Sequence, residues 1–297
     1  MDLDIRTLLK LVLQLIVFLL NISIIGEVVR RILKKKINSL RAIDPIQVLL
    51  LDVYLGCLVL YIIALPPLGL FRRTYLIILT GISWAIVIFL ILKEKAYQVL
   101  WSLPSFLRER SLERSVVIGL FLWNLWISLG PYAEFSIGDL SDIWLHSFFI
   151  TLIMDNGHLP RTLAPFSPAP VFYPLGFHVM ATYSVYILGW NALLASAYVC
   201  VLFKAMAPLA GYALGRLVDR EGHLGLTLSL VFGLISRWPR LIPYEAGPFI
   251  SGFPLLLLII GFSAGLELRR PDILFSGLLC GLLFVIYPMY FLSLIHI

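Results

Sequence analysis

Apolar residues run along this chain in blocks close to the length that crosses a bilayer, with short polar stretches between them. Residues 5 to 28 predict a first span, 46 to 65 a second ending at Pro66-Pro67, 74 to 92 a third, and 115 to 130 a fourth with Trp123 and Trp126 near its far end. Beyond a polar-bearing stretch from 138 to 178 come 176 to 190, short and weakly apolar, then 192 to 215, 222 to 238, 252 to 268 and 273 to 291. The pattern describes an all-α, polytopic transmembrane helical bundle of about nine spans. No small-residue cleavage site follows the first span, so an anchor is expected there rather than a removable signal peptide.

Charge orients the bundle. Arg30, Arg31, Lys34, Lys35, Lys36 and Arg41 follow the first span, and the stretch from 93 to 114 is again basic, so both are expected in the cytoplasm. Between Pro131 and Pro174 the balance reverses: Glu134, Asp139, Asp142 and Asp155 stand against Arg161 alone, as an external loop would have it. Past this loop two topologies remain. If 176 to 190 crosses fully, the turn from Arg216 to His223 is external; if it re-enters, that turn is cytoplasmic and the loop with Arg237, Arg240, Tyr244 and Glu245 joins the external side. The chain has 297 residues, is 60% hydrophobic and 13% charged, and carries a net charge of +6. That excess sits in short loops, so the positive-inside effect accounts for it and no nucleic-acid partner is implied. Cys57, Cys200 and Cys280 fall inside apolar runs without metal-ligand or disulfide spacing.

The chemistry concentrates in the external loop. If 140 to 155 is a helix, Asp139, Asp142 and His146 lie on one stripe at i, i+3 and i+7. Helix capping alone explains the two acids, Asp139 as N-cap and Asp142 at the third helical position, but not His146. This helix is expected to lie at the membrane surface as an amphipathic element, with Trp144, Leu145, Phe148, Phe149 and Ile153 toward apolar surroundings. Asn156-Gly157 reads as its C-terminal cap. A stiff loop follows, with Pro160, Pro165, Pro168, Pro170 and Pro174, and His158, Arg161, Tyr173 and His178 along it. Elsewhere Lys204 falls mid-span, where a charge must face the bundle interior, for a pocket role or an internal pair. Asp52 needs no more than a hydrogen bond between helices.

Three ordered segments resemble the multi-pass glycosyltransferases of the GT-C superfamily, above all the archaeal oligosaccharyltransferase-like membrane proteins. They are Asp142-Ile-Trp-Leu-His146, Gly157-His158-Leu159-Pro160 and Tyr173-Pro174-Leu175-Gly176-Phe177-His178. The resemblance covers 115 to 290. It implies a catalytic membrane core at 115 to 291 behind an N-terminal transmembrane region at 1 to 114, and sugar transfer from a polyprenyl-phosphate carrier to a glycan, lipid or protein acceptor. Asp142 then takes the base role, with Asp139 as the alternative and His146 as orienter or phosphate donor. Arg161, His178 and Lys204 become candidates for the phosphate, and Tyr173 and His158 for substrate contact. A metal-free site is the first expectation, and Mg2+ or Mn2+ held by Asp139, Asp142 and an imidazole is the alternative. The rival class is a transporter or lipid flippase, with Lys204, Asp52 and the break at 174 to 176 on the path. A scaffold that keeps the fold without the activity is the third reading. The closing FLSLIHI stops in mid-span without a polar flank, and LSLIHI resembles translated adapter sequence. A shortened chain with a non-native tail at 292 to 297 is therefore expected, and His296 carries no functional weight.

Overall fold

The computed structural model describes residues 5–34, 37, 44–93, 111–133, 141–219, 223–235, 247–264, 270–289 and 291–292. Asp139 and the loop from Arg237 to Glu245 lie outside them, as do the side chains of Ser141 and Asp142. Among the described residues the regular structure is all helical: α1 (Ile5–Leu33), α2 (Pro45–Ile63), α3 (Arg73–Lys93), α4 (Ser111–Ala133), α5 (Ser141–Asn156), α6 (Gly176–Leu188), α7 (Ala192–Ala205), α8 (Ala207–Val218), α9 (Leu224–Leu230, continued by a π-helical turn Val231–Ile235), α10 (Gly247–Ala264) and α11 (Arg270–Ile286).

Among the described residues five stretches are long and apolar enough to cross a membrane: α1, α2, α3, the first part of α4 (Ser111–Leu129), and α7 with α8 taken together. The apolar helices Leu224–Leu234, Pro248–Ser263 and Pro271–Ile286 are shorter. On α1 and α3, apolar side chains such as Leu9, Leu13, Ile78, Ile82 and Phe89 stand exposed, as they do on a surface that faces lipid rather than water.

Local chemistry sets the ends. Asp44 caps α2 by accepting from the Ile46 amide at 3.0 Å, while the Gln47 side chain accepts from the Asp44 amide at 2.8 Å and Pro45 opens the first turn. Arg114 of α4 then donates to Asp44 at 2.9 Å, so α2 and α4 start at the same end of the bundle. Gln47 also donates to the Ala213 carbonyl of α8 at 3.1 Å, and His223 lies 3.1 Å from Glu113. The turn between α8 and α9 is therefore at that end too, the end where α1 finishes with Arg30 and Arg31.

The run of α6 follows from its length and its neighbours. A helix of 13 residues is about 20 Å long, short of the roughly 30 Å of a hydrocarbon core. It packs against α1, α2, α3, α5, α7, α10 and α11. Its contacts walk across the bundle: Gly176 lies against Val285 and Ile286 of α11, Met180 accepts from Cys57 of α2 at 2.9 Å, and Tyr183 pairs with Thr80 of α3 at 2.7 Å.

The first two helices touch backbone to backbone. A Cβ on Gly26 would lie 1.7 Å from the Asp52 carbonyl oxygen, and one on Gly56 would lie 2.2 Å from that of Ile22. Glycine is what permits this contact, as in membrane helix pairs generally. The same approach brings Arg30 Nε to Asp52 at 2.7 Å, while Glu27 accepts from Arg30 and from Arg31. Asp52 is thus engaged by a cation of the neighbouring helix, a stronger tie than the neutral bond the sequence required.

Candidate functional site

The end of the bundle opposite Arg30 carries the candidate site. α5 stops where the sequence predicts: Gly157 adopts φ 67° and its amide donates to the Ile153 carbonyl at 2.9 Å. A Cβ at Gly157 would also come within 3.0 Å of Arg72 Nε, a second reason for glycine there. Two backbone bonds fasten the turn to the α2–α3 connection, Leu159 to the Ala64 carbonyl at 2.7 Å and Phe71 to the Gly157 carbonyl at 3.2 Å. The proline-rich loop then doubles back on itself. Val171 donates to Arg161 at 3.0 Å and Leu163 to Ala169 at 2.9 Å, with an isolated antiparallel bridge between Thr162 and Pro170. That reversal returns Tyr173 to α5, where its ring stacks on Phe149 with centroids 5.1 Å apart.

The consequence is a meeting of two histidines 32 residues apart in sequence. His146 Nδ1 of α5 and His178 Nε2 of α6 are 2.9 Å apart. His146 is 2% exposed and His178 is fully buried. Aromatic rings wall them in: Phe177 and Tyr173 stand edge-on to His146, and Phe149, Tyr173 and Phe177 edge-on to His178. On their far sides, His146 Nε2 and His178 Nδ1 make no hydrogen bond of regular geometry, although the Pro174 backbone lies close enough to favour a proton on His178.

Neither helix is of membrane-spanning length, and burial controls both rings. Desolvation pulls His146 down to about 4 and His178 well below the ordinary imidazole range, the latter lowered further by His146 and opposed by Pro174. Both rings are therefore neutral near pH 7, each with one N–H and one lone pair. Such a pair can relay a proton, hold a neighbouring carboxylate or phosphate oxygen, or ligate a metal.

The remaining residues singled out from sequence are distributed as follows. Asp142 is in α5, one turn ahead of His146 in the helical register. His158 is half-buried with its ring 2.9 Å from the Leu159 carbonyl, and Arg161 is exposed on the loop. Lys204 is buried near the end of α7. Its neighbour Phe203 meets Tyr54, one turn further along α2 from the site than Cys57, which meets Met180. The stripe expected of α5 needs correction. Its apolar residues are spread around the helix instead of forming one face; Phe149 and Ile153 are buried as expected, but Trp144 and Leu145 are exposed and His146 takes the inner face. The helix packs on α6 and α7 at once, so its inner side is set by those neighbours and not by a water boundary. Phe149 was expected on the apolar side of this helix and Phe177 as part of a motif; that the two rings wall a histidine pair was not expected from sequence.

No family model matches the chain, and neither the curated proteins nor the solved structures contain a match.

Proposed function

We propose that the protein is a membrane glycosyltransferase that moves a sugar from a polyprenyl- or dolichyl-phosphate carrier to an acceptor on the external face of the plasma membrane. The observation that carries the reading is the convergence of His146, Tyr173 and His178 in one walled cluster at one end of an apolar helical bundle. Two of the three segments that resemble the GT-C proteins supply it, and the third, Gly157 to Pro160, anchors the loop between them. A lipid-borne donor suits a site at the end of helices that are exposed and apolar on their outer sides.

In this reading Asp142 takes the proton from the acceptor's nucleophilic group as that group attacks the anomeric carbon. The carbon–oxygen bond to the carrier phosphate breaks, and the phosphate leaves with the electron pair. His146, held by His178, orients Asp142 or donates to a phosphate oxygen, and the exposed Arg161 offsets the charge that develops on the leaving group. Residues 138 to 178 face outward and the Arg30 end faces the cytoplasm.

The test is sugar transfer from a lipid-linked donor by the purified chain in detergent. Asp142→Asn is expected to lower transfer by on the order of a hundredfold or more with the melting temperature unchanged, the scale for loss of a positioned base. Asp139→Asn preserves an N-cap and has the smaller effect. Undiminished turnover by Asp142→Asn overturns the assignment.

A further inference from the structure

The connection between α2 and α3 carries a second cluster at the end of the bundle opposite Arg30. Arg72 precedes α3, Arg73 opens it, and both are exposed. The Gly157 to Pro160 turn is bonded to this connection, and the exposed Arg161 follows that turn directly. A Cβ at Gly157 would lie 3.0 Å from Arg72 Nε and 3.3 Å from its Cζ, so the guanidinium rests on the bare backbone of the turn. Among the described residues, none of the three arginine side chains makes a hydrogen bond or an ion pair. Asp155 shares the neighbourhood, since it and Arg72 both act on the Tyr186 hydroxyl, but it closes no ion pair with Arg72 and leaves positive charge in excess. Positive residues are scarce on the outer side of membrane proteins. On the sidedness proposed above, Arg72 and Arg73 stand against that trend, and an anion from outside the chain would answer them. Of the five described stretches long enough to cross, α3 is the least buried, 22% against 33% to 78% in the others. Leu76, Thr80, Ser83 and Val87 are its buried residues, whereas Tyr75, Ile78, Ile82 and Phe89 form an exposed apolar stripe that runs from the arginines along the helix.

We propose that Arg72 and Arg73, with Arg161 on the loop bonded to their connection, seat the terminal phosphate of an outer-leaflet lipid whose chain lies along α3. Guanidinium forks match phosphate oxygens two at a time and keep their charge at any working pH. Several of them together favour a phosphomonoester, which carries about −1.5 to −2 near pH 7, over the single charge of a phosphodiester headgroup. Free phosphate meets the same cations but gains nothing from the apolar stripe, whereas a lipid is already held beside α3 by its chain. Neither Arg72 nor Arg73 belongs to the segments that resemble the glycosyltransferases. The seat stands whether or not the chain transfers sugar, and where the lipid is the carrier of the proposed donor it holds that carrier's phosphate.

The probe is dioleoyl phosphatidic acid, titrated into the purified chain in detergent and counted by native mass spectrometry. Dioleoyl phosphatidylglycerol is the phosphodiester arm and inorganic phosphate the free-anion arm. Wild type is expected to retain a single phosphatidic acid, and to bind phosphatidylglycerol more weakly. The double variant Arg72→Gln/Arg73→Gln is expected to lose affinity by about tenfold or more, the scale for loss of a charge-assisted hydrogen bond. Lys93→Gln removes an exposed cation at the other end of α3 and should bind as wild type does. Absence of retained lipid in wild type, equal binding of the two lipids, or equal affinity in the double variant and Lys93→Gln overturns the site. Displacement of the lipid by inorganic phosphate at equal concentration overturns the part assigned to the face of α3. Should the double variant fail to fold, wild type in vesicles decides, with a phosphatidic acid that carries a photoreactive group in its acyl chain. Label between Tyr75 and Lys93 supports the seat, and label confined to other helices overturns it. Sugar transfer by a chain that retains no phosphatidic acid would sink this inference and leave the transfer reading intact, and retention without transfer would do the reverse.

Discussion

Gly26→Ala adds one methyl group where two helix backbones touch. The new Cβ would fall 1.7 Å from the Asp52 carbonyl oxygen, against the 3.0 Å that such a contact needs, so the backbones must part by about 1.3 Å. The obstacle is main chain, which cannot rotate away as a side chain would. Parting by that amount also carries the Arg30–Asp52 bond, now 2.7 Å, out of hydrogen-bond range. Overpacking costs about 1–3 kcal/mol, and opening a buried ion pair about 3–5 kcal/mol when one charge is left without its partner. Alanine returns about 1 kcal/mol of helix propensity. The net is a destabilisation of about 3 kcal/mol or more, a fall of about 5 °C or more in the melting temperature in detergent. Gly81→Ala in α3 and Gly281→Ala in α11 are the controls, because a Cβ at either meets nothing within 4 Å. Those two are expected to be neutral or stabilising by up to about 1 kcal/mol. Equal melting of Gly26→Ala and Gly81→Ala would refute the close α1–α2 contact.

The buried histidines make stability depend on pH. Their folded pKa values lie below the ordinary value, so the unfolded chain binds protons first as pH falls, and stability should drop between about pH 7 and 4 by on the order of 3 kcal/mol for His146. The double variant His146→Phe/His178→Phe should show a flatter profile of melting temperature over that range, and parallel profiles would contradict the burial argument. Orientation is tested by a cysteine at Ser136, which should react with an impermeant thiol reagent in intact cells. Labelling only after lysis would reverse the sidedness and remove the external site. Among the native cysteines, buried Cys57 and Cys200 should stay silent in that assay.

The second and third spans were legible because hydropathy reports directly on length. The predicted 46 to 65 and 74 to 92 become Pro45–Ile63 and Arg73–Lys93. What hydropathy leaves open is the path between spans. α6 is buried on several sides, polar His178, Thr182 and Ser184 included, and a short, weakly apolar run carries no mark of lying across a bundle. The Arg30–Asp52 pair was hidden for a related reason. Arg30 reads as part of the basic cluster, and its reach into the bundle follows from the antiparallel register that Gly26 and Gly56 allow. At the site, His146 and His178 were each recognisable by residue type and motif, but their meeting depends on the reversal of the loop at Thr162 and Pro170, which no local pattern announces.

That reversal also explains why the loop is rich in proline. The chain must leave α5 at Leu159, which is bonded to Ala64, and enter α6 at Gly176, which lies against Ile286 at another edge of the bundle. A flexible connection of that length would spread Tyr173 over many positions, and ordering it would cost about 1–2 kcal/mol of backbone entropy per residue. Prolines at 160, 165, 168, 170 and 174 remove much of that freedom before folding begins. The ring of Tyr173 therefore arrives on Phe149 and the histidine pair at a lower entropic cost than a glycine- or serine-rich loop would incur. The rigidity has a direction as well. The turn from Gly157 to Pro160 is fastened to the start of α3, and α6 is fastened to α2, α3 and α11, so the two histidines are held from opposite sides by elements that share the same helices. A site built this way keeps its two rings in register only while α2 and α3 keep theirs. Strain introduced at the α1–α2 contact by Gly26→Ala is thereby expected to reach the histidine pair through α2, and to lower sugar transfer further than the Gly81→Ala control does.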